Sequence, residues 1–279
     1  MKIFMKHIAA FMFLLFPLLA SADNTDDSFH PYSTSSPSFE GLSAGITINA
    51  ENAEQFKDAI DPELFNMVKH GWVDLQVGET TSFDLHPNYV KASRDNQANV
   101  SLGEEVGQIN NWVAGRPFLA EPDMNDPRAG EKLAWNYKYG YNWGDSAAIW
   151  PFYWKYRDMN TAKVERTLKF RFHFLNFQGR VNQSPTPAIT PNPSDLYRAI
   201  YLQVMAPYDV KNTQLLIQRN IDDLKRDNAW LYLGFQRRVR RLATGQVTDS
   251  FLGADIMIED FEGYNGRVSD MKWNYLGTK

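Results

Sequence analysis

Hydrophobic and polar positions along this chain change period after the first third. Phe56 and Ile60 fall on one face of a helical segment at residues 53–60, and Leu64, Phe65 and Val68 on one face of the next. Asp61 as N-cap, Pro62 at the first helical position and Gly71 as a stop bracket that second helix. Beyond Trp72 the period falls to two, with Val73, Leu75 and Val77 alternating with polar neighbours as a half-buried strand requires. The clearest alternation starts at Leu133. Trp135, Tyr137, Tyr139, Tyr141 and Trp143 point one way, and Asn136, Lys138, Gly140, Asn142 and Gly144 the other. After Gly144-Asp145-Ser146 the pattern resumes with Trp150, Phe152, Trp154 and Tyr156. A third run sets Val164, Leu168, Phe170, Phe172 and Phe174 against Glu165, Thr167, Lys169, Arg171 and His173, with Arg166 interrupting the apolar side.

These runs predict three consecutive antiparallel strands. The third would extend about 36 Å at ~3.3 Å per residue, and a sheet of such strands must twist and curl. Further strands are expected at residues 197–205, 213–219, 229–233 and 272–276. Pro185, Pro187, Pro191 and Pro193 cannot pair in a sheet and mark either a surface loop or a semi-rigid flap. The expected fold is mainly β (α+β): a large curved antiparallel open sheet, or half-barrel, with short helices covering its concave face.

The N-terminus narrows the compartment. Lys2, Lys6 and His7 precede an apolar stretch from Ile8 to Leu19, and Ala20-Ser21-Ala22 is a small-residue cleavage site. Residues 1–22 therefore read as a secretory signal, too short to span a bilayer. Residues 23–40 are rich in Ser, Thr, Asp and Pro and read as a flexible leader. A single domain is expected over residues 41–279, in the periplasm and not lipid-anchored. The 279 residues include no cysteine, which removes disulfides, thiolate metal sites, cysteine nucleophiles and acylated cysteine. A formal net charge of −4 argues against nucleic acid as a partner.

Catalytic patterns are weak. His30, His70, His86 and His173 form no zinc motif, and no phosphate-binding glycine loop is present. Gly41-Leu42-Ser43-Ala44-Gly45 has the letters of a nucleophile elbow, but a polar leader precedes it and a strand-like Ile46-Thr47-Ile48 follows. Ser146 lacks a local acid–histidine partner pair. Asp123, Asn125 and Asp126 lack the ligand spacing of a calcium loop. No enzyme activity, metal or cofactor is expected.

Aromatic density is the positive signal. Ten residues between Trp135 and Tyr156 are Trp, Tyr or Phe, including four of the eight tryptophans. Such a row serves either as core or as the wall of a partly filled cavity, since Tyr and Trp carry polar tips that need partners when buried. The candidate lining is Trp135, Tyr137, Tyr139, Tyr141, Trp143, Trp150, Phe152, Trp154, Phe170, Phe172 and Phe174. Charge is also segregated. Residues 219–241 hold seven basic residues against three acids, and residues 242–266 hold five acids and no Lys or Arg. Cross-strand pairing is one explanation; the other is that Arg237, Arg238, Arg240 and Arg241 meet an anionic headgroup or an acidic partner.

One family pattern runs through these segments. Asp227-Asn228-Ala229-Trp230-Leu231-Tyr232-Leu233 with Arg237-Arg238-Val239-Arg240-Arg241-Leu242 is its most distinctive stretch. Thr248 to Asp255, Glu259 to Gly266, Gly115-Arg116-Pro117-Phe118, Asp126 to Gly130 and Trp135-Asn136 extend it. The chain resembles the periplasmic family known as domain of unknown function 1329, which is similar in fold to the LolA/LolB-type outer-membrane lipoprotein carriers. The resemblance covers about Gly41 to Lys279. Family members usually continue past the stretch matched by Trp273 to Gly277, so the chain is expected to lack the usual C-terminal part. The resemblance implies a role beside inner-membrane exporters of the resistance–nodulation–division type, handling lipids or other hydrophobic small molecules. The expected function is a periplasmic carrier or accessory protein with an aromatic-lined cavity. The alternatives are a structural exporter partner and, further off, a hydrolase.

Overall fold

The computed structural model describes residues 28–29, 38–81, 83–158, 160–243, 250 and 252–277. The expected signal segment, residues 1–22, lies outside them, as does most of the expected leader.

Residues 39–77 build a small unit with its own core, in which Ile48, Ala53, Phe56 and Val68 are buried. Strand β1 (Thr47–Ile48) pairs with β2 (Leu75–Gln76), and between them lie a 3-10 turn (Ala53–Ala59) and helix α1 (Pro62–Lys69). The capping is as read from sequence: Asp61 Oδ1 accepts the Glu63 N–H at 2.9 Å, and Gly71 takes a φ of 71° just past the end. Helix α2 (Pro87–Asn96) and the short pair β3 (Ser101–Leu102) and β4 (Ile109–Asn110) follow.

The expected strand beginning at Leu133 is instead helix α3 (Ala129–Lys138), followed by a turn through residue 145. Trp135 and Tyr139 stand four residues apart, a spacing that fits one side of a helix as well as one side of a strand. Terminal signals and packing decide between the two. Asp126 Oδ1 accepts the Arg128 N–H at 2.8 Å before the first turn, and Glu131 and Lys138 complement the helix dipole at its two ends. Gly130 lets the backbone of Trp273 and Asn274 approach; an added Cβ would lie 2.7 Å from the Trp273 carbonyl carbon.

The main sheet has six strands in the order β10-β9-β8-β7-β6-β5, all neighbours antiparallel. These are β5 (Ser146–Arg157), β6 (Val164–Asn176), β7 (Leu196–Ala206), β8 (Gln214–Asn220), β9 (Asn228–Leu233) and β10 (Arg238–Arg241). The sheet is curved and does not close into a barrel, since β5 and β10 remain edges. Residues 272–276 form no strand. The proline-rich loop after β6 is tied down rather than free. Buried Asp145 accepts the N–H groups of Val181, Asn182 and Gln183 at 2.6–3.0 Å, and the Arg180 guanidinium donates to the Pro185 carbonyl at 2.8 Å. Gly144-Asp145-Ser146 is therefore a loop anchor, with the Ser146 hydroxyl donating to Gln183 Oε1.

Candidate functional site

Strand alternation gives the sheet one apolar face, called inner below. Register aligns it in rows: Phe172, Leu202, Leu215 and Leu231 in one, and Phe174, Ile200, Ile217 and Ala229 in the next. From β5, Ala147, Ile149, Phe152, Trp154 and Tyr156 pack on the same side. One step beyond Phe174 the row becomes polar. Asn176, Arg198 and Arg219 lie opposite one another across β6, β7 and β8.

Residues 252–268 roof this face. The segment contains the 3-10 turn Ile258–Asp260, runs into a second at Val268–Asp270, and has no longer helix or strand. Leu252, Ile258 and Phe261 are its apolar anchors on the sheet. The Phe261 ring centroid lies 5.5 Å from that of Phe172 and 5.8 Å from that of Trp154. The Tyr156 hydroxyl donates to the Leu252 carbonyl at 3.0 Å. Among the described residues, a void of about 10 Å³ between roof and sheet is lined by Phe172, Leu202, Leu215, Ile217, Ile258 and Phe261. That holds about one water molecule and no alkyl chain. The opposite side of the roof is looser. A cleft of about 490 Å³ is lined by Gly263, Tyr264 and Gly266 and by Leu133 and Tyr137 of α3, while Val268 packs into the core with Ala134 and Trp135.

The roof is also held electrostatically. Its Glu259 reaches Arg219 at 3.4 Å and its Glu262 reaches Arg198 at 3.8 Å, while Asp227, at the entry to β9, pairs with Arg219. Burial pushes the Glu259 carboxyl above the usual carboxylate range, against the pull of Arg219. Burial works against the charge on Arg219 as well, but Asp227 and Glu259 hold its affinity for the proton above the ordinary arginine value. The fit is incomplete: Arg219 Nε and Glu262 Oε1 are buried without a hydrogen-bond partner among the described residues. Glu262 moreover sits in the left-handed region at φ 59°, which costs a non-glycine residue roughly 1–2 kcal/mol. At the far end of the roof, the Ser269 N–H donates to buried Asp223 Oδ2 at 2.9 Å, and Asp223 also pairs with Lys138 of α3.

The expected lining therefore divides. Phe152, Trp154, Phe170, Phe172 and Phe174 share the inner face, and Trp143 stacks on Phe174 with centroids 5.3 Å apart. Trp135 and Tyr139 instead stack with Trp112 in a separate core beside α3. Tyr141 stacks on Tyr89, and Tyr137 is half-exposed beside the α3 cleft. Trp150 is on the opposite, outer face. A bulge sets Ile149 against Phe172 but Phe152 against Phe170, three residues of β5 for two of β6, and reverses the alternation. Arg237, Arg238, Arg240 and Arg241 are exposed at the sheet edge, with Arg240 Nη2 donating to Gln236 Oε1 and Arg241 to Asn228. The arginines that flank the apolar rows are Arg198 and Arg219. Their signal in the sequence is phase: Arg198 continues the alternation of Ile200, Leu202 and Val204, and Arg219 that of Leu215 and Ile217.

Comparison with known proteins places these features in context. The family model described as "Protein of unknown function (DUF1329)" matches residues 47–279. The uncharacterized protein PA3922 of Pseudomonas aeruginosa is 25% identical over 266 residues, covering 93% of this chain and 53% of that protein. This chain thus spans about half the length of that relative. A crystal structure of a DUF1329 family protein from Desulfovibrio piger aligns over 54% of this chain and 52% of that one, with 19% identity and a TM-score of 0.38.

Proposed function

The chain belongs to the DUF1329 family of proteins of unknown function, and from its geometry we propose that it is a carrier or accessory protein that takes up a lipid or other hydrophobic molecule on the inner face of the sheet. The observation behind this reading is the roof. A continuous apolar face is covered by an irregular segment with three apolar anchors and a cleft at its back. Such a cover can leave without unfolding the sheet beneath it. The ligand would take the place of Leu252, Ile258 and Phe261. A periplasmic location and an exporter of the resistance–nodulation–division type as donor or acceptor, both expected from sequence, complete the proposal.

Magnitudes set the ligand's size. Re-exposing three large apolar side chains costs about 1.5–3 kcal/mol each, roughly 5–9 kcal/mol together. An alkyl tail regains ~0.8 kcal/mol per methylene, so about six to eleven carbons are needed before uptake becomes favourable. Competition of linear alcohols from butanol to hexadecanol against the fluorophore 1-N-phenylnaphthylamine tests this. Butanol should not displace the probe, and above the threshold affinity should rise about fourfold per carbon. Phe261→Ala should lower the threshold. Absence of saturable probe binding in both the native chain and Phe261→Ala, with no lipid in extracts of the purified protein, would overturn the carrier reading.

A further inference from the structure

We infer that the molecule carried is an anionic amphiphile, an alkyl tail bearing a carboxylate or phosphate head, whose head takes the places of Glu259 and Glu262 on Arg219 and Arg198. This rests on the carrier reading above and adds the ligand's chemistry to it. The inner face is itself amphiphilic: the rows through Phe172 and Phe174 end, two residues further along each strand and on the same face, at the paired Arg198 and Arg219. Like charges directly opposite on neighbouring strands repel, and both side chains are at least nine-tenths buried, with 6% and 4% exposure. Such a pair persists only where anions meet it.

The anions now present belong to two different parts of the molecule. Asp227 is outside the roof, beside the sheet, and stays with Arg219 when the roof lifts. Glu259 and Glu262 leave with it. Lifting the roof therefore leaves two guanidinium groups facing one carboxylate, an excess of one positive charge next to Phe174, Ile200 and Ile217. A tail along those residues with a singly charged anionic head at the arginine row matches that surface, and a cationic head is repelled. The roof acids also fill the site poorly. Glu262 stands beyond hydrogen-bond distance of Arg198, and the buried Nε of Arg219 has no partner among the described residues. A carboxylate or phosphate with a free choice of position can accept from both guanidinium groups, as acids tied to a strained turn do not.

The test uses probes of one tail length: hexadecanoate, hexadecyl phosphate, hexadecan-1-ol and hexadecyltrimethylammonium, titrated into the native chain, Glu259→Gln/Glu262→Gln and Arg198→Gln. The native chain should bind hexadecanoate or hexadecyl phosphate at least about tenfold more tightly than hexadecan-1-ol, with the ammonium weakest. The two anions, compared with each other, identify the head. Removing the roof acids should strengthen anion binding by a further tenfold or so while changing the alcohol less. Arg198→Gln should abolish the preference and keep alcohol binding; if that variant does not fold, the roof-acid variant decides. Equal affinity for acid and alcohol in both the native chain and Glu259→Gln/Glu262→Gln overturns the inference while leaving the carrier reading intact. Failure of all four probes to bind overturns both.

Discussion

On the inner face of the sheet Leu168, Phe170, Phe172 and Phe174 are each at most 6% exposed, whereas on the outer face of the same β5–β6 hairpin Trp150 and Tyr153 are about half exposed, at 50% and 52%. Both faces are rich in rings. What separates them is the company the rings keep. The inner rings touch one another and branched aliphatic side chains from β7 and β8. The outer rings touch cations, with Lys169 Nζ 4.6 Å and the Arg171 guanidinium 5.1 Å from the Trp150 centroid. Aromatic density therefore marks neither core nor cavity by itself. A ring among aliphatic neighbours is removed from water, and a ring among lysines and arginines remains in it.

This contrast yields stability predictions of decreasing size. Phe170→Ala should destabilise the protein by about 3–5 kcal/mol in urea unfolding, and Tyr153→Ala on the outer face by no more than about 0.5 kcal/mol. Equal effects would mean that the two faces are not the different environments described. Among the arginines, Arg219→Ala strands Asp227 and Glu259 without their cation and should cost about 3–5 kcal/mol, against about 0.5–1 kcal/mol for Arg171→Ala, which loses a ring contact in water. Measurement of both at one salt concentration, then at high salt, should leave the first nearly unchanged and diminish the second.

The smallest effect depends on pH. Glu259 has its carboxyl held above the ordinary range by burial, with Arg219 opposing and Asp227 and Asp270 adding to the rise. The folded state thus favours the protonated form. Its contribution is fully present below the unfolded glutamate value and is lost as pH rises through the raised folded value. Glu259→Gln should accordingly be more stable than the native chain at neutral pH, and the gap should close on acidification below the usual carboxylate range. A gap that widens in acid would show Glu259 to be stabilised as an anion, and the roof to be held more firmly by its ion pair than by its apolar anchors.

Legibility of the sequence followed the range of the forces involved. The caps of α1 were readable because Asp61, Pro62 and Gly71 act within one turn of the backbone. Strands β6 to β9 were readable because an alternating pattern names both faces at once. The α3 segment misled, since aromatic residues spaced two and four apart satisfy either period, and the deciding facts are the approach of Trp273 to Gly130 and the burial of Trp135 against Tyr139. Trp150 misled because one extra residue at the bulge inverts everything before it. The edge arginines attracted attention by crowding, whereas Arg198 and Arg219, which flank the apolar rows, stood singly in different strands.

The sequence by itself determined the local alternation: that β6 to β9 form strands, which side of each is apolar, and that two arginines fall in phase with apolar positions. The tertiary structure decided the rest. Register placed Arg198 opposite Arg219, and the irregular segment from residue 252 to 268 brought Glu259 and Glu262 to them and Phe261 over Phe172 and Trp154. The physical reason is one of range. Alternation and capping are settled between residues a few positions apart, while charge pairing and burial across the sheet join groups from distant parts of the chain and exist only once it has folded back on itself.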